Sequence, residues 1–102
     1  MLSSEKVRAA LAKLGKVEEY RGDYRDSTHT MWVRLQLAPG YVTLSVDLDL
    51  HQCKPMLIKS PDGYDWYAMD PLHVSDPSKI EDMVADLMPR MRAEWLKRYG
   101  EQ

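Results

Sequence analysis

Apolar side chains recur along this chain with two different periods, and the change from one to the other divides it into three stretches. In the first, Val7, Ala10, Leu11 and Leu14 return at helical spacing. Ser3 or Ser4 can cap the start and Gly15 offers a left-handed stop, so the pattern predicts a helix over about 3–14. Its stripe is short and rich in alanine, which suits a helix that packs on something larger.

Residues 16–30 are polar, and Gly22-Asp23 between Val17–Tyr20 and Tyr24 reads as either an edge hairpin or a loop. From Thr30 the period becomes two. Met31, Val33, Leu35 and Leu37 alternate with Trp32, Arg34 and Gln36, predicting a half-buried strand over about 30–37. After Ala38-Pro39-Gly40, Val42, Leu44, Val46, Leu48 and Leu50 alternate with Tyr41, Thr43, Ser45, Asp47 and Asp49, predicting a second strand over 41–50. Two such runs joined by a tight turn form an antiparallel hairpin with one face left to water or to a partner. Further strands are expected over 55–59 and 64–69, separated by the turn sequence Ser60-Pro61-Asp62-Gly63.

The third stretch returns to helical spacing. Ser75-Asp76-Pro77 supplies a cap followed by proline at the first helical position. Ile80, Met83, Val84, Leu87, Met88, Met91, Trp95 and Tyr99 then define a long helix over about 77–99, whose methionine-rich stripe is expected to pack on the sheet. Pro89 removes a hydrogen bond to the carbonyl of Ala85 and should kink or break that helix. Residues 90–99 then either lean away from the body or bend around a curved sheet. The expected fold is α+β: an N-terminal helix, an antiparallel meander of three to five strands and a long C-terminal helix, in two layers of one domain spanning residues 1–102.

Composition narrows the class of function. The chain has 102 residues, 44% hydrophobic, enough for a core without disulfides or metal. Its single cysteine, Cys53, cannot form an internal bridge, and no leader sequence opens the chain, so the expected location is cytoplasmic. The longest uncharged run, Leu35–Val46, contains Pro39 and Gly40 and is shorter than the roughly 18 apolar residues of a spanning helix. No membrane association is expected. The formal charge is −2, and residues 41–77 hold two bases against six acids. That balance disfavours nucleic acid, whose phosphates demand a basic stripe. The aromatics are three Trp and six Tyr without Phe, and all of them suit a boundary between core and water.

Three constellations could carry chemistry. Asp47, Asp49 and His51 would share a strand face about 7 Å apart and could hold a divalent cation, although alternating acids are also what the wet side of a sheet needs. Cys53 with His51 invites a thiolate reading, but no third group orients them. Trp32 and Arg34 share the polar parity of one strand and Tyr41 and Thr43 that of its neighbour, which makes a platform of the kind that dominates protein interfaces. The five glycines form no phosphate-binding loop, and no cofactor is implied.

The resulting expectation is a small non-enzymatic interaction module, an adaptor, inhibitor or regulator of bacterial or phage style, binding another protein or a second copy of itself as a homodimer. Its anchors would be Trp32, Arg34, Tyr41 and Trp66 on the sheet, with Arg92 and Trp95 on the last helix. Single-stranded nucleic acid stacking on the aromatics is the first alternative, and a metal-dependent activity at Asp47, Asp49 and His51 the second.

Overall fold

In the computed structural model, which describes residues 1–23, 25, 28–60 and 65–100, the two helical stretches flank an antiparallel sheet as the change of period predicts. Helix α1 spans Ser4–Ala12, and the Ser3 side chain caps it by accepting from the Lys6 N–H at 3.3 Å. It ends through Lys13 in a right-handed conformation. Gly15 is therefore not a left-handed cap, and its N–H donates back to the Leu11 carbonyl.

The polar segment after α1 contributes an edge strand, β1 (Glu18–Arg21), paired to β2 (His29–Gln36) with Glu18 opposite Trp32. β3 (Tyr41–Asp47) follows through a turn in which Ala38 and Gly40 have φ of 48° and 81°, and the Leu37 N–H donates to the Gly40 carbonyl at 2.7 Å. β3 stops three residues before the end of its apolar alternation. The Asp47 carboxylate accepts from the Asp49 and Leu50 amides at 3.0 and 2.9 Å, and His51 turns to φ 55°. A side chain that binds the two amides ahead of it offers the backbone an alternative to the ladder. Leu48 stays buried, but Leu50 is exposed.

β4 (Gln52–Ile58) begins three residues earlier than expected and runs through Pro55. The proline is tolerated because of where its nitrogen points. Its carbonyl accepts from the Met69 N–H, so the missing donor lies on the side where β4 exchanges one neighbour, β5 (Trp66–Ala68), for another, β6 (Leu72–His73). The order is β1-β2-β3-β4-β5, with β6 beside β4. The expected strand over 64–69 is thus shorter, β6 is additional, and the turn expected at 60–63 falls at 61–63 outside the described residues.

Asp76 caps a short 3-10 turn (Pro77–Lys79), accepting from the Ser78 N–H, and this leads into α2 (Ile80–Tyr99). α2 runs unbroken through Pro89, contrary to the break considered from sequence. Pro89 and Ala85 both lie on its exposed side, where water can satisfy the carbonyl that loses its partner. Both helices cover the same sheet face. Val7 and Leu11 of α1 and Ile80, Val84, Leu87, Met91 and Trp95 of α2 close over Met31, Val33, Val42, Leu44, Val46, Cys53 and Leu57.

Four contacts hold the C-terminal half of α2 to the body. Arg92 Nε donates to the Leu37 carbonyl at 2.8 Å, Trp95 Nε1 to the Ile58 carbonyl at 2.9 Å, Arg98 stacks 3.2 Å over the Tyr67 ring, and the Tyr99 hydroxyl meets Asp65 at 3.3 Å. Trp95 also seats directly on Gly40. A Cβ built there would lie 2.0 Å from the indole, and φ of 81° already disfavours any other residue. Trp95 is buried and hydrogen-bonded, so it has little room to yield. Gly40→Ala is accordingly expected to lower stability by about 2 kcal/mol or more, read as a shift of the urea midpoint.

Glu19 ties the edge strand to both layers. Its carboxylate accepts from Nε2 of the buried His29 at 2.6 Å and from the Arg8 guanidinium of α1. The hydrogen bond to His29, then the bond and charge of Arg8, hold its carboxyl below the ordinary value of 4.5 against the opposing effect of burial. Folded Glu19 gives up its proton more readily than unfolded Glu19. The stabilisation is therefore complete above the unfolded value and is lost as pH falls through the lower folded one. Glu19→Gln should be less stable than the parent at neutral pH, and the gap should close on acidification below 4.5, measured as urea midpoints across that range.

Candidate interaction face

Covering one side of the sheet with both helices leaves the other to the polar parity of each strand. The register places those side chains in four cross-strand rows. Gln36, Tyr41, Ile58 and Trp66 form the first, and Arg34, Thr43, Met56 and Ala68 the second. Glu18, Trp32, Ser45 and Lys54 form the third, and Tyr20, Thr30, Asp47, Gln52 and His73 the fourth. Of the six residues expected to bind a partner, Trp32, Arg34, Tyr41 and Trp66 lie together here. Trp66 is 58% exposed, Arg34 is exposed, and Trp32 and Tyr41 are half-buried. Trp32 is flanked by its neighbour Glu18 and lines a shallow cleft with Lys16, Glu18 and Arg34.

Arg92 and Trp95 are on the opposite side of the sheet. Trp95 is a core residue, 8% exposed, and Arg92 is engaged with the Leu37 carbonyl, so of the two arrangements open to residues 90–99 the projecting one is not adopted. An amphipathic stripe reads identically whether it meets a sheet or a partner, which is why sequence could not separate these two from the others. In the other direction, Lys54 was missed as a face residue because Pro55 argues against a strand starting at Gln52, and Met56 and Ile58 lay inside the expected strand over 55–59 without being assigned to a face. The alternation of Cys53, Pro55 and Leu57 inward with Lys54, Met56 and Ile58 outward was the available signal.

The candidate cation cluster of Asp47, Asp49 and His51 is not assembled. Asp49 and His51 belong to a turn and do not continue a strand, and the Asp47 carboxylate is occupied in capping that turn. Among the described residues no three His, Cys, Asp or Glu side chains are grouped to hold a metal ion. His51 instead stacks on His73 of β6, ring centroids 6.2 Å apart and 9° from parallel.

Cys53 points into the core from β4, away from any thiolate role with His51. Burial pushes its thiol up to about 11 from an ordinary 9.0, and no partner offsets that. The native protein at mildly alkaline pH should react with a chromogenic disulfide roughly a hundredfold or more slowly than the urea-unfolded chain, because the thiolate fraction falls tenfold per unit. No helix among the described residues is long and apolar enough to cross a membrane. Compared with protein-family models, curated proteins and solved structures, the chain matches none.

Proposed function

We propose that this protein is a small interaction module that docks a protein partner on its uncovered sheet face. One observation carries the reading: Trp32, Tyr41, Met56 and Trp66 stand with Arg34 on four hydrogen-bonded strands whose other side is the core. Tryptophan, tyrosine and arginine are the side chains that concentrate binding energy at interface centres. A backbone already held in a hydrogen-bonded sheet loses little freedom on binding, which lowers the cost of association. A protein partner is favoured over nucleic acid because Arg34 and Lys54 are the only arginine or lysine side chains in the four rows, too few to neutralise a run of phosphates. The contribution expected of the last helix is given up, since Trp95 supports the face from behind.

The test is affinity capture with the full chain, with and without nuclease, in parallel with Trp32→Ala, Arg34→Ala and Arg92→Ala. The expected result is a stoichiometric protein that survives nuclease. It should be weakened by about 2 kcal/mol, roughly thirtyfold, by Trp32→Ala or Arg34→Ala and little changed by Arg92→Ala. Capture indifferent to the two face variants, or lost with nuclease, would overturn the proposal.

A further inference from the structure

The free charge on the face specifies the chemistry of what docks there. Two acids belong to the four rows, and both are already engaged. Glu18 pairs with Lys16 at 3.6 Å, and Asp47 holds the two amides of the turn that follows it. The two cations, Arg34 and Lys54, are exposed and have no carboxylate within ion-pair distance among the described residues.

Their arrangement is regular. Arg34, Thr43 and Met56 are consecutive in one row, which continues to Ala68, and Trp32, Ser45 and Lys54 are consecutive in the next, which begins at Glu18. The cations thus lie on one diagonal of a square and the large apolar groups on the other, above a low floor of two hydroxyls. Two strand spacings across and two residues along put the Cα atoms of Arg34 and Lys54 about 12 Å apart. Residues seven apart on a helix are about 10.5 Å apart on the same side, with positions three and four between them. Side chains about two turns apart on one helix match that spacing, so a single amphipathic segment can meet both cations at once.

Resting on the docking reading above, we infer that the partner presents an acidic amphipathic segment. Its carboxylates, about two helical turns apart, meet Arg34 and Lys54, and an apolar side chain between them settles on Thr43 and Ser45 against Trp32 and Met56. The face selects by charge at two corners and by apolar contact at the other two.

The experiment is selection of a random dodecapeptide library, displayed on phage, on the immobilised full chain. Selected peptides are then synthesised and their affinities measured for the parent, the Arg34→Glu/Lys54→Glu double variant and Trp32→Ala, each checked by circular dichroism for an unchanged fold. Enriched peptides should carry Asp or Glu flanking an apolar residue. They should lose affinity at least tenfold with either variant and weaken as salt is raised. Neutral or basic peptides that depend on Trp32 but not on the two cations would overturn the acidic partner and leave the docking reading standing. Three other results would overturn both: no enrichment that depends on the face, oligothymidylate binding sensitive to the same variants, and a dimer in sedimentation that Trp32→Ala disperses.

Discussion

The seat of Trp95 on Gly40 is the contact on which the rest of the arrangement depends. The β2–β3 turn can carry the indole only because Gly40 has no side chain, and the indole N–H then closes on the last carbonyl of β4. One residue of α2 is thereby bound to three strands. With Arg92 on the Leu37 carbonyl and Arg98 on Tyr67, the C-terminal half of the helix is committed to the sheet through its whole length. Hydrophobic burial is non-directional and would accept several helix placements, whereas a buried N–H that must find an acceptor accepts few.

That commitment decides what the other face is. With α1 and α2 both on one side, the sheet needs no second layer for its core, and its polar parity is left to water. The edges are treated differently from the centre. β1 is short and fully exposed, held by Glu19 to His29 and Arg8, while the far edge is split between β5 and β6 around the proline of β4. Short, charged or interrupted edges are poor templates for adding a strand. The docking proposed above accordingly uses side chains on the flat of the sheet and adds no strand at an edge.

Most of the fold was legible in the chain because a two-residue period and a 3.6-residue period cannot be mistaken over seven or more residues. The hairpin of β2 and β3, both helices and the α+β class follow from that alone. The errors fell where one polar or cyclic side chain competes with the pattern. Asp47 ended β3 although Leu48 and Leu50 continued the alternation, and β4 began at Gln52, before Pro55, although proline opposes an interior strand position. The first case took with it the candidate Asp47, Asp49 and His51 cluster, since that grouping existed only if the strand went on.

The candidate face divides in the same way. Which side chains share a parity is a property of the covalent chain, so alternation alone groups Trp32, Arg34 and Tyr41, with Trp66 as a separate candidate. Which parity is covered, and by what, is a property of packing. Trp95 and Arg92 have the composition of an interface and are core and clasp, while Met56 and Lys54 were overlooked and complete the square with Trp32 and Arg34. The sequence by itself determined the elements and the side of each on which every residue lies, because those depend on backbone geometry. Only the tertiary structure decided which side meets protein and which meets water, because that depends on contacts between residues far apart in the chain.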